Sequence, residues 1–151
     1  MTPSPVPGFL CTVALAALSA CLSIELTACS SRAEPSAAVS PPAQAEVLQA
    51  QRMQVRKVEV TLEAPVVKIL SDDTEGIPHQ RFLIALANGS TVLIAHDTRM
   101  APRVPVNRGD MVRVHGEYIW NEKGGVIHWT HHTDTPRHEG GWIDFNGMRY
   151  E

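Results

Sequence analysis

The segment GGVIHWTHHTDTPRHEGGW, residues 124–142, concentrates side chains that could do chemistry. It holds four of the seven histidines of the chain and two of its three tryptophans. Imidazole nitrogens bind transition metals and move protons near neutral pH, and tryptophan rings can stack on a base or a sugar. The segment therefore poses a choice between a metal site, a catalytic site and an ordinary strand with its turn.

A strand over this segment would divide its side chains between two faces, because successive side chains alternate. Ile127 and Trp129 then point to the core, which places His128 and His132 outward or in a groove and His131 near the end of the strand. A helix would instead put His128 and His132 at i and i+4, as in zinc proteases. Those enzymes need a glutamate directly after the first histidine, and Trp129 occupies that position, so we exclude that class.

A metal centre needs about three protein ligands, usually drawn from different elements. In a hairpin that turns at residues 87–89, the start of the first strand lies opposite the end of the second, so we expect His79 close to His96. The strand before this hairpin ends at Asp72-Asp73, in the same region. We therefore predict a site for a divalent transition metal (zinc, copper or manganese) drawn from these side chains: His79, His96, His128, His131, His132, Asp72 and Asp73.

An ordinary structural explanation stays open for the same residues. Histidines at strand ends often bond to backbone carbonyls, and Asp72-Asp73 is typical turn chemistry. His115 is expected to face solvent between charged neighbours, and His138, in a Gly-rich loop, is left undecided. The predicted ligand-binding side chains are Arg81, Glu117, Trp120 and Trp129, although the tryptophans are equally candidates for the core.

The elements that must position these residues are strands, because apolar and polar residues alternate with a period of two after residue 52. The predicted strands are 55–70 (bent at Pro65), 81–86, 90–96, 109–120 and 124–132, followed by a short hairpin around Asn146-Gly147. Pro102 and Pro105 forbid a helix in the connection 97–108. We predict an all-β domain over 53–151, a five-stranded OB-like Greek-key barrel with a short C-terminal hairpin. An open antiparallel sandwich is the alternative.

The N-terminal residues 1–29 have the features of a bacterial lipoprotein signal peptide. An apolar stretch at 9–20 is too short to span a membrane and suits a signal-peptide core. LSAC and LTAC both match the lipobox, so cleavage and lipidation are predicted at Cys21 or Cys29. The Ala-, Ser- and Pro-rich residues 30–52 predict a flexible tether, with a frayed helical turn in its last part, QAEVLQAQR, as an open alternative. The predicted location is the periplasm, with the chain anchored to a membrane by its lipid; a cleaved, soluble export signal is the alternative.

Charge and cysteine content limit the possible functions. The chain carries 13 basic and 16 acidic residues, a net charge of −3, which argues against nucleic acid as a partner. No cysteine follows Cys29, so the domain has no disulfide and no thiolate ligand or nucleophile.

The runs PHQRFLIAL, LIAH, GDMVRVHGEYIWNEKGGVIHWTHH and GGWI together resemble a family of small exported bacterial proteins that is known as a domain of unknown function. The resemblance covers roughly residues 65–150 and implies an envelope protein that carries an export signal. In that family Asn follows the position of His96 and Asp-Pro follows HWTHH. Here these are Asp97 and Thr133-Asp134-Thr135-Pro136. The resemblance assigns no catalytic residue.

Three functions follow as hypotheses. The first is a binding module that holds a small ligand, an envelope partner or a transition metal. The second is a metal-dependent hydrolase, such as a phosphodiesterase or nuclease, in which Arg81 or Arg103 stabilises negative charge. The third is a structural envelope lipoprotein whose histidines only make hydrogen bonds.

Overall fold

The structure is a computed structural model that describes residues 44–151. The predicted signal region 1–29, with Cys21 and Cys29, and residues 30–43 of the predicted tether lie outside the described residues. Within residues 44–151, no helix is long and apolar enough to cross a membrane. The elements, in chain order, are α1 (Ala45–Met53), β1 (Val58–Ile69), β2 (His79–Ala85), β3 (Thr91–Asp97), β4 (Met111–Ile119), β5 (Val126–His128), β6 (Trp142–Phe145) and β7 (Met148–Tyr150).

The first five strands close into a barrel. They are hydrogen-bonded in the order β1-β2-β3-β5-β4, and β4 pairs again with β1. β3 and β5 run parallel, and the other neighbours in the barrel run antiparallel. This is the strand order of an OB-type Greek-key barrel. The predicted fold class is confirmed, and the closed ring excludes the open sandwich.

The period-two pattern of the sequence fills the interior of the barrel. Phe82 and Ile84 of β2 and Val92 and Ile94 of β3 are fully buried, and the residues between them are half-buried. Burying a side chain of this size stabilises a fold by roughly 1.5–3 kcal/mol. The same alternation that predicts the strands therefore also supplies the core.

β1 is one strand whose irregularity lies just beyond the predicted bend. Pro65 still pairs with Met111 of β4, and the register shifts between Val66 and Lys68, where β1 passes from pairing with β4 to pairing with β2. A bulge at that point lets a single strand turn the corner of the barrel.

The connection from β3 to β4 closes one end of the barrel without a helix, as its prolines require. Val104 and Val106 belong to the hydrophobic core. The side-chain amide of Gln80 donates to the Val104 carbonyl oxygen at 2.7 Å and accepts from the Val104 N–H at 2.9 Å. One buried glutamine thus gives the loop the two hydrogen bonds that a neighbouring strand would provide.

The last eight residues of the predicted tether, 45–52, belong to α1, which packs on the barrel. Val47 and Ala50 are buried in the core cluster. The Gln44 side chain donates to the Glu63 carbonyl oxygen and accepts from the Ala87 N–H, both at 2.8 Å. The apolar spacing is too short and the composition too polar to predict this helix, which forms through tertiary contacts.

β5 is much shorter than the predicted strand 124–132. It pairs with one stretch of β4, with Glu117 opposite His128, and β6 pairs with the adjacent stretch, with His115 opposite Trp142. β6 therefore continues along the same edge of β4 where β5 stops. Between them residues 129–141 leave the sheet and return to it; we call this segment the 129–141 loop.

Candidate functional site

The 129–141 loop begins at Trp129, whose backbone has φ = 53°. A bulky residue in this left-handed region is rare and costs on the order of 1 kcal/mol or more, so the surrounding structure must impose it. The turn ends β5 and breaks the alternation of faces. The prediction that Trp129 points to the core is therefore wrong: its side chain is half-buried, and Thr130 and His131 are the buried residues.

Two glycines make room for the chain where it leaves and rejoins the sheet. A side-chain carbon on Gly116 would lie 2.5 Å from the His128 carbonyl oxygen. A side-chain carbon on Gly141 would overlap the Trp129 carbonyl oxygen and lie 2.6 Å from the His115 carbonyl oxygen. The Gly141 N–H also donates to the His131 carbonyl oxygen at 2.9 Å, so the two ends of the loop are held together.

Thr130 fixes the start of the loop to the interior of the barrel through His96. The His96 Nε2 lies 3.1 Å from the Pro102 carbonyl oxygen, which can only accept, so Nε2 carries the proton. The Nδ1 atom then accepts from the Thr130 hydroxyl at 2.8 Å. Burial lowers the pKa of His96, which keeps the ring neutral. His96 is fully buried and uses both ring nitrogens within the protein.

His131 and His138 are held in one tautomer by the loop backbone. The Nδ1–H of His131 donates to the His132 carbonyl oxygen at 2.7 Å, and the Nδ1–H of His138 donates to the Glu139 carbonyl oxygen at 2.8 Å. Within residues 44–151 neither Nε2 atom has a hydrogen-bond partner, so each keeps a free lone pair. The two ring centroids are 5.7 Å apart and nearly perpendicular, and the His138 ring stacks on Trp129 at 4.1 Å.

These rings line an open cavity of about 400 Å³. The cavity lies against the 129–141 loop, the end of β3 and the residue that precedes β1. The residues that line it are Lys57, Ile77, Asp97, Arg99, Met100, Trp129, His131, Thr133, Asp134, Thr135, Arg137 and His138. Its volume is within the range of cavities that bind small molecules.

Most charged groups around the cavity are already paired. Burial disfavours the charge on Asp97, but hydrogen bonds from Arg99 at 2.9 and 3.4 Å outweigh it and lower the pKa of Asp97. Asp134 accepts from His132 Nε2 at 2.9 Å. Among the ion pairs of residues 44–151, none involves Arg137. Among the described residues that line the cavity, the titratable groups without a polar partner are therefore the Nε2 atoms of His131 and His138 and the guanidinium of Arg137.

A second histidine arrangement lies beside the cavity. Glu117, with a side chain only 3% exposed, forms an ion pair with Lys57 and accepts from His128 Nε2 at 3.0 Å. Burial lowers the pKa of His128 despite this bond. Across the strand pair from Glu117, Glu59 has a raised pKa because of burial and the neighbouring negative charge, and one of its carboxylate oxygens has no hydrogen-bond partner within the described residues.

The predicted metal ligands are not gathered at one place. His79 lies opposite Asp97 and His96 opposite Gln80, so His79 and His96 point to opposite faces of the hairpin. Asp73 bonds to His79 through the backbone only, and Asp72 pairs with Arg103. Within residues 44–151, no group of three or more histidine, cysteine or acidic side chains is arranged to hold a metal ion.

The remaining predicted site residues are dispersed as well. Arg81 donates to the Ser71 carbonyl oxygen at 2.9 Å, and Trp120 packs against the hydrophobic core. His132 is exposed. The expectation that His115 faces solvent is wrong: its side chain is 15% exposed, bonds to Thr61 and stacks on Trp142.

Of the predicted residues, His131 and Trp129 line the cavity, together with His138, which the sequence leaves undecided. Sequence reasoning missed Met100 and Arg137. No local pattern marks Met100, because its place depends on how the β3–β4 connection folds back. The Gly-Gly pair at 140–141 was a usable signal, since it marks where a long loop rejoins a sheet.

Fold and site together define a small OB-type barrel with an aromatic and histidine-lined cavity at the loop after its fifth strand. The chain belongs to the family described as Protein of unknown function (DUF3465), whose match covers residues 33–151. This confirms the predicted membership of a family without assigned function. A comparison with curated proteins gives no match.

Proposed function

We propose that this protein is an exported metal-binding module of the bacterial envelope. The ion is held between the Nε2 atoms of His131 and His138 and keeps open positions toward the cavity. The observation that carries the proposal is that Nδ1–H of both rings is fixed on a backbone carbonyl, while neither Nε2 has a partner among the described residues. This is the usual way in which proteins orient a metal-binding imidazole.

The distance between the ring centroids of His131 and His138 supports the binding of one ion by both imidazoles. With metal–nitrogen distances of about 2.1 Å and near-tetrahedral angles, two bound imidazole centroids lie roughly 5–6 Å apart. The observed separation is 5.7 Å. The distance between the two rings therefore matches that of two imidazoles bound to one ion.

Export and lipid attachment at Cys21 or Cys29 belong to this proposal and rest on the lipobox sequences alone. Mass spectrometry of the mature N-terminus tests them. A first residue other than a lipidated Cys21 or Cys29 would contradict lipid anchoring.

The test of metal binding is elemental analysis of the full chain, produced in a bacterial host without a histidine tag. We expect about one equivalent of a transition metal after exposure to zinc, copper or manganese. His131→Ala and His138→Ala should each weaken binding by roughly 100-fold or more, because even partners outside the ligand set contribute about 10–100-fold.

His132→Gln is the matched control: His132 is exposed and lies outside the cavity, and a glutamine amide can still donate to Asp134 as His132 does. The metal content of this variant should equal that of the wild type. Circular dichroism confirms that each variant is folded, and His138 is the safer substitution because it is only half-buried. Wild-type protein that retains no metal, or folded His138→Ala protein that retains all of it, overturns the proposal and leaves a structural role for these histidines.

A further inference from the structure

We propose that the ion at His131 and His138 is copper(I) and that the thioether of Met100 supplies a third donor. This inference rests on the proposed metal-binding function and adds the identity of the ion. It follows from the donor atoms that the cavity offers, from their charge, and from the way Met100 is held.

The donor atoms of the cavity are soft or borderline. No cysteine follows Cys29, so residues 44–151 contain no thiolate. Of the four methionines in this range (Met53, Met100, Met111 and Met148), only Met100 lines the cavity. Thioether sulfur favours copper(I) over the harder ions manganese and magnesium, and imidazole binds copper well.

The charge of the site favours a monovalent ion. Two neutral imidazoles and a thioether bring no negative charge, and the two acids of the cavity are engaged by Arg99 and His132. Arg137 also lines the cavity, and it takes part in none of the ion pairs of residues 44–151. Repulsion from this cation grows in proportion to the charge of the ion, so it disfavours a divalent ion about twice as strongly as a monovalent one.

Met100 is an exposed side chain on an anchored backbone. Its N–H and that of Ala101 both donate to the Asp97 carbonyl oxygen, at 3.3 and 3.2 Å, and Ala101 is buried. The Met100 side chain is nevertheless 55% exposed at the edge of the cavity. A methionine side chain has three rotatable bonds, so the sulfur of Met100 can take several positions at the cavity while the main chain stays fixed.

The test compares two ions on the full chain. Copper(I) affinity is measured without oxygen, in competition with a chromogenic copper(I) chelator, and zinc affinity is measured with a zinc-responsive dye. We expect Met100→Leu to weaken copper(I) binding about tenfold or more and to change zinc binding less than about twofold, because the substitution removes only the soft donor.

Met148→Leu is the matched control: Met148 is 61% exposed on β7, away from the cavity, and its substitution should change neither affinity. His138→Ala should weaken the binding of both ions. If Met100→Leu leaves copper(I) affinity unchanged while His138→Ala lowers it, the copper(I) inference fails and the proposed metal site stands. If the wild type binds neither ion, both proposals fail.

Discussion

Trp129 is the residue on which the candidate site depends, because its left-handed backbone turns the chain out of the sheet. The conformation is compatible with the fold only while Gly141 allows the returning chain to lie against the Trp129 carbonyl oxygen. Gly141 does not line the cavity, but a side-chain carbon in place of one of its hydrogen atoms would still change the geometry of the cavity.

We expect Gly141→Ala to lower the free energy of unfolding by about 1–3 kcal/mol, the usual effect of inserting a carbon where there is no space. It should also weaken metal binding, because the loop that holds His131 and His138 must shift. Urea unfolding and the metal titration measure the two effects.

Gly140→Ala is the control for this substitution. Its side-chain carbon would come no closer than 3.5 Å to the nearest atom, which is an ordinary contact. We expect near-wild-type stability and binding. Equal effects of the two substitutions would show that the Gly141 contact does not position the loop.

At the same scale, the sequence predicts which residue types can do chemistry but not where their side chains point. The hairpin register brings the strand ends that carry His79 and His96 together, but it places the two side chains on opposite faces because they belong to neighbouring pairs. Glu117 has the spacing of an exposed residue, yet it is buried against Lys57 and His128. Such burial depends on contacts between distant strands, which one sequence does not encode locally.

Among the elements, α1 is the one whose packing role cannot be predicted from the sequence. It joins the barrel through the buried Val47 and Ala50 and through two glutamines. The side chain of Gln51, like that of Gln44, reaches the barrel: it donates to the Gly124 carbonyl oxygen at 2.7 Å and accepts from Ser90 at 3.0 Å. The helix thus contacts the β2–β3 turn and the β4–β5 turn at once.

Val47→Ala should lower the free energy of unfolding by about 2 kcal/mol, because it removes buried methyl groups and leaves a cavity. Glu46→Ala, one residue away on the exposed side of the helix, should change it by less than about 0.5 kcal/mol. Chemical unfolding of the full chain measures both. If the two substitutions have the same small effect, α1 does not contribute to the stability of the domain.

The strands show which signals are reliable at the scale of elements. Alternation and turn residues predicted the β2–β3 and β6–β7 hairpins, where Gly89, Asn146 and Gly147 have positive φ. The same alternation overextended β5, because His128, Trp129 and Thr130 continue the pattern in sequence while the chain has already turned. When a strand ends at a strained residue other than glycine, the local sequence does not indicate where the strand ends.

For the whole molecule, a neutral histidine inside the barrel makes stability depend on pH. The pKa of His96 is below the ordinary value of 6.5 because burial disfavours the charged ring; nearby His131 lowers it further and Asp97 raises it. The unfolded chain therefore binds a proton near pH 6.5 that the folded chain does not bind. The free energy of unfolding must fall as the pH drops below about 6.5 and, for this group, stay constant above it.

We expect metal-free protein to lose up to about 1.4 kcal/mol per pH unit from His96 between pH 6.5 and the lower folded-state pKa, with a further loss from His128, whose pKa is also lowered by burial. Urea unfolding at several pH values measures the slope. His96→Gln removes one titrating group and should give a shallower slope, whereas His132→Gln, at an exposed position, should keep that of the wild type. An unchanged slope for His96→Gln would contradict the assignment of this pH dependence to His96.

Closure of the barrel also bears on how this protein behaves among other proteins at high concentration. Every barrel strand has hydrogen-bonded neighbours on both sides, and β7 is the terminal strand of the sheet within the described residues. β7 is only three residues long, and it carries Arg149, which is bonded to Asp144. Short, charged edges resist pairing with other chains. The hairpin after the barrel therefore ends the sheet in a short, charged strand, which disfavours edge-to-edge aggregation.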